Sequence, residues 1–128
     1  MSTIKVNNLQ NASGGSNSTP EQIQQGRAKA WVNFNGAGTV AIRDDFNVSS
    51  ITDSGTGLYK VNMTSALSNT NYAVTAGSSH NSGSYLAWPH LRDRDQVTRS
   101  TTQFQLDVKN SSGAATDSQE IHVAVFAN

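Results

Sequence analysis

The residues best suited to chemistry lie in one stretch of the chain, where Tyr85, Trp88, His90, Arg92, Asp93 and Arg94 fall within ten positions. Aromatic faces stack on the apolar C–H patches of sugars, while Arg and Asp hydrogen-bond hydroxyls or carboxylates. Carried on a surface loop, this mix reads as a recognition site. The competing reading is structural: Trp88 and Leu91 would belong to the core or a subunit interface, and the charges would form an ionic network between subunits. Trp31 has the same ambiguity. It alternates with Ala30 and Val32, so it is either core on a second face or interface.

Catalytic alternatives are thin. Asp44-Asp45 and Asp93-x-Asp95 are the only acidic clusters. They could ligate Ca²⁺ or act as a carboxylate pair on a glycan. Neither matches a calcium-loop pattern, and Arg92 and Arg94 stand ready to pair with Asp93 and Asp95. His80, His90 and His122 have no metal-site spacing. Gly-x-Ser-x-Gly, a P-loop and Gly-x-Gly-x-x-Gly are absent, and a chain without cysteine has no thiol nucleophile. The expectation is a non-enzyme with no cofactor and no metal.

Composition points the same way. The 128 residues fit one domain large enough to bury a core without disulfide or metal. Charged residues are 14% of the chain, against roughly 25% in an average soluble protein. Ser, Thr, Asn and Gly replace them, 52 residues in all, a polar uncharged surface of the sort found on fibres, capsids and carbohydrate-facing modules. Net charge is zero, which argues against generic binding to nucleic acid or anionic membrane. The opening MSTIKVNNLQ has no apolar core of an export signal, and no apolar run reaches membrane-spanning length. The five Asn-x-Ser/Thr sequons, at Asn11, Asn17, Asn47, Asn62 and Asn110, are what chance supplies in such a composition.

Strands must position whatever the surface presents. From Ala28 onward apolar residues alternate with polar ones, between turns at Gly36-Ala37-Gly38 and Asp53-Ser54-Gly55-Thr56-Gly57. Gln103–Lys109 alternates most cleanly, and Ile121–Phe126 is apolar on both faces, as for a central strand. Pro89 marks an edge or the end of a strand. Many short strands with frequent turns predict an all-β antiparallel sandwich, jelly-roll-like, over 28–128. Residues 1–27 read as a separate arm for anchoring or oligomerisation. Ile4, Val6 and Leu9 suggest a short strand, Asn11–Thr19 a flexible linker, and Thr19 to Gly26 one or two helical turns. Thr19 would cap that helix, Pro20 begin it and Gly26 end it. So short a helix needs a surface to pack on, and Ile23 with Ile4, Val6 and Leu9 would provide the contact.

The stretch WVNFNGAGTVAIRDDFNVSSITDSGTGLYKVNM, then Asn71-Tyr72-Ala73-Val74 and the closing His122-Val123-Ala124-Val125-Phe126, resembles a module of tail-fibre and other virion proteins of tailed phages, those of marine cyanobacteria especially. The opening Ser2-Thr3-Ile4-Lys5-Val6 is similar to the segment with which such proteins begin; Ser78 to Ser100 match least. The resemblance implies a virion protein on tail or capsid, assembled in the host cytoplasm, and a homotrimer with a β-sandwich head. It implies a knob that aids host-cell attachment, with its arm on other virion proteins and its head on a surface glycan or envelope protein. The rival expectation is a capsid decoration or tail connector with a purely architectural role; a glycan-degrading tailspike-type enzyme comes third.

Overall fold

Alternation along each strand sorts side chains into an inside and an outside, and two such layers close over one core. The computed structural model describes residues 1–79, 87–92 and 99–128. Their strands are β1 (Ala30–Asn35), β2 (Ala41–Phe46), β3 (Val48–Asp53), β4 (Leu58–Met63), β5 (Ala73–Ser78), β6 (Trp88–Arg92), β7 (Gln103–Lys109) and β8 (Ile121–Phe126). One sheet runs β2-β1-β8-β5 and the other β3-β4-β7-β6, every neighbouring pair antiparallel. The expected β-sandwich is the fold.

Between the sheets lie Ala30, Val32 and Phe34 of β1, Tyr59, Val61 and Met63 of β4, Phe104, Leu106 and Val108 of β7, and Ile121, Val123 and Val125 of β8, all buried. Each of the larger side chains contributes about 1.5–3 kcal/mol by leaving water. Phe34 and Tyr59 meet edge to face across the layers, their centroids 5.3 Å apart. β8 is central, as its two apolar faces suggested. Its inner face joins the core, while Phe126 lies on the outside, partly exposed.

Between β2 and β3 the chain passes from one sheet to the other across a single residue. β2 ends at Phe46 and β3 begins at Val48, and Asn47 between them has φ +57°. That left-handed turn lets Phe46 face outward in one sheet while Val48 is buried in the other. Asn47 tolerates it better than most residues, and its side chain is fully engaged. Its Nδ2 donates to the carbonyls of Lys29 (3.0 Å) and Ser65 (3.3 Å), and its Oδ1 accepts from the Ser65 amide (2.8 Å).

Gly57 closes the other end of the core. Its φ of +66° and the carbonyl oxygens of Val108 and Thr116 against it leave no room for a Cβ. Its amide donates to Asp117 Oδ1 at 2.7 Å, and its carbonyl accepts from the Val108 amide at 2.7 Å.

The arm is built as expected in one part and differently in another. Helix α1 (Pro20–Gly26) has Thr19 as N-cap in a reciprocal box: Thr19 Oγ1 accepts from the Gln22 amide (3.2 Å), and Gln22 Oε1 from the Thr19 amide (2.9 Å). No residue of α1 is buried. Ile4 and Val6 form no strand, because nothing among the described residues pairs with them; the only ladder contact of the arm among those residues is a Leu9–Ser18 bridge with bonds of 2.8 and 2.9 Å. The expected linker is tied into a turn, Gly14 and Asn11 donating to the carbonyls of Asn11 and Gly15.

Candidate functional site

Edge strand β6 carries the described part of the predicted recognition site. Trp88, His90 and Arg92 occupy alternate positions, so they share the outer face of their sheet, while Pro89 and Leu91 oppose Val108 and Leu106. Pro89 is tolerated because β6 lies at an edge. Trp88 is 47% exposed, which removes it from the core; Leu91 is half-buried and packs on the core instead. These three residues are therefore presented by a strand, not by a loop. Tyr85, Asp93 and Arg94, with His80 and Asp95, lie outside the described residues.

The neighbouring strands extend this face into a polar platform. Register pairing places Trp88 beside Lys109, His90 beside Asp107, and Arg92 beside Gln105, and then Gln105 beside Lys60 of β4. Lys109 Nζ lies 3.4 Å from Asp107 Oδ2, a partly exposed pair of small energetic value. Asn62 of β4 is held by Ser50 Oγ and Thr52 Oγ1, both at 3.0 Å from its Nδ2. The platform thus combines one exposed indole with cationic, amide and carboxylate groups on a paired sheet.

Gln105 is the member that the sequence did not single out. Alternation put it on the solvent side, yet it is 4% exposed, and its Oε1 has no hydrogen-bond partner among the described residues. A buried acceptor of this kind costs about 1–3 kcal/mol unless a donor reaches it. Lys60 and Arg92 flank it in register.

The other candidates do not converge on the platform. Asp44 and Asp45 lie on β2 in the opposite sheet, where adjacent residues point to opposite faces. Each accepts a local amide: Asp44 Oδ1 from Asp45 N (3.0 Å), and Asp45 Oδ2 from Val48 N (3.4 Å). His122 is on the outer face of the first sheet, its Nε2 3.6 Å from Glu120 Oε1, with Arg43 Nη1 at 3.9 Å from the same oxygen. No group of three or more metal-ligating side chains gathers among the described residues. Trp31 is neither core nor platform. It is 36% exposed on the outer face of the first sheet, beside Phe46.

Compared with known proteins, the chain matches no family model, no curated protein and no solved structure.

Proposed function

We propose that this chain is a surface module of a tailed-phage virion, and that the outer face of β6, β7 and β4 contacts the host envelope. The observation that carries the proposal is the shared outward face of Trp88, His90 and Arg92 on an edge strand, continued by Lys109 and Asp107. An indole among fixed polar groups suits a saccharide, whose ring faces stack while its hydroxyls or carboxylates hydrogen-bond. The resemblance to phage virion modules gives the biological setting. No catalytic step belongs to this reading: the platform works by binding.

The test is adsorption of the full chain to cells of the host bacterium, with Trp88→Ala and Arg92→Ala beside it. Each substitution should weaken binding about tenfold or more, as for a residue at the centre of a contact, while leaving the melting temperature unchanged. Undiminished adsorption by both variants would sink the proposal. The architectural rival, a decoration or connector protein, draws support from a separate surface, the aromatic face around Trp31. It predicts impaired assembly rather than impaired adsorption.

A further inference from the structure

Two apolar surfaces remain uncovered, and they belong to different parts of the chain. The first is an open groove of about 580 Å³ in the arm, walled by Ile4, Val6, Leu9, Pro20 and Ile23. Ile4 is 87% exposed, so the groove is an apolar hollow open to water. The second is an aromatic ridge on the outer face of the first sheet, where Trp31 and Phe46 are direct cross-strand partners and Phe126 lies two positions beyond Ala124, which pairs with Trp31.

We infer that the arm groove of one copy receives the Trp31–Phe46–Phe126 ridge of a second copy. The chain's own arm does not cover the ridge: with the arm present, Phe46 is still 50% exposed and Trp31 and Phe126 each 36%. Lys29 Nζ donates to the Gln24 carbonyl at 2.7 Å, and the Lys29 amide to the Val125 carbonyl at 2.8 Å, which hold the helix at the root of β1. That root adjoins the end of the first sheet at which the ridge lies, so the groove and ridge of one copy can meet the ridge and groove of a second about a two-fold axis.

Size and charge favour this occupant over a simple face-to-face pairing. At about 200 Å² per aromatic side chain, the ridge exposes about 250 Å² of ring surface, far below the roughly 800 Å² per partner of a stable interface. In a two-fold contact each copy contributes its groove as well as its ridge, so the groove walls add to that area on both sides. Lys5 and Arg27 line the groove, with no acidic residue among its walls, while Asp44 shares the outer face of β2 with Phe46. The contact is independent of whatever the β6 platform binds.

Because the chain has no cysteine, engineered pairs report cleanly. Ile23→Cys chains mixed with Phe46→Cys chains should form a disulfide-linked dimer under mild oxidant. Thr52→Cys, on the opposite sheet, should not replace Phe46→Cys. Sedimentation of the full chain should show an oligomer that Phe46→Glu disperses without lowering the melting temperature. A monomeric full chain, equal linkage to Thr52→Cys, or an oligomer indifferent to Phe46→Glu would each overturn the inference. Trp88→Ala chains should assemble normally, so failure here and failure of the adsorption reading remain separable.

Discussion

The phenol oxygen of Tyr59 lies 2.7 Å from Asp117 Oδ1, joining the start of β4 to the connection between β7 and β8. The same phenol oxygen lies 2.6 Å from the Gly36 carbonyl, so its single proton is offered to two acceptors. Asp117 Oδ1 also accepts the Gly57 amide. Three turns from distant parts of the sequence are thus tied at one buried phenol.

Tyr59→Phe should cost about 1–3 kcal/mol at neutral pH, because the buried Gly36 carbonyl and Asp117 Oδ1 lose their shared donor. Burial, then the hydrogen bond and charge of Asp117, then the charge of Asp53, raise the Tyr59 pKa well above its ordinary 10.0. Its contribution is therefore complete below pH 10 and declines above it, since the unfolded phenol releases a proton that the folded one retains. Denaturant titration should show the gap between wild type and Tyr59→Phe constant up to about pH 10 and then narrowing by up to about 1.4 kcal/mol per pH unit. A gap that widens in that window would contradict the buried, protonated phenol.

Gly57→Ala should be among the most damaging single changes, at about 3 kcal/mol or more, since a Cβ meets two backbone carbonyls in a left-handed conformation. Gly55→Ala isolates the backbone part, because nothing lies within 4 Å of a Cβ there although φ is +127°. Thermal melts should rank Gly57→Ala below Gly55→Ala.

At the sheet crossing, Asn47→Gly and Asn47→Ala separate conformation from hydrogen bonding. Both lose the three side-chain bonds to Lys29 and Ser65, but only alanine adds a Cβ penalty at φ +57°. Asn47→Ala should be the less stable by about 1 kcal/mol in chemical denaturation. Equal stabilities would mean that the left-handed turn is not under strain.

Thr19→Ala removes one half of the capping box and should cost the helix about 1 kcal/mol. Because α1 buries nothing in its own head, the global melt should hardly move. Amide exchange of Ile23, which donates to the Thr19 carbonyl, should accelerate several-fold. A large fall in the melting temperature would mean that the arm supports the head.

Much of this fold can be read from local pattern. β1, β4, β7 and β8 bury the residues their alternation selects, α1 starts and stops at Thr19, Pro20 and Gly26, and Pro89 sits on an edge strand. What local pattern cannot convey is partnership. Phe46 and Val48 look like one face of one strand; only the left-handed Asn47 sends them to different sheets and opposite environments. Ile4 and Val6 alternate like a strand, but a strand needs a neighbour.

The candidate site shows the same division. Trp88, His90 and Arg92 stand out by type, and their even spacing puts them on one face once the segment is a strand. Gln105 could not be found, since its burial comes from the tertiary surroundings of a strand whose alternation assigns it to water. Asp117 was equally hidden, because its partners Tyr59 and Gly57 are adjacent only in the folded chain.

The pairing of β1 with β8, from Ala30–Val125 to Phe34–Ile121, sets an order of events during synthesis. β1 can reach β2 as soon as both have left the ribosome, but its other edge must wait until Ile121–Phe126 has emerged. Until then the nascent chain carries an unzipped strand with Trp31 and Phe34 at its centre. Such edges are the sites at which chains join their neighbours instead of themselves, so the chain is most open to misassembly in the interval before Ile121–Phe126 has emerged.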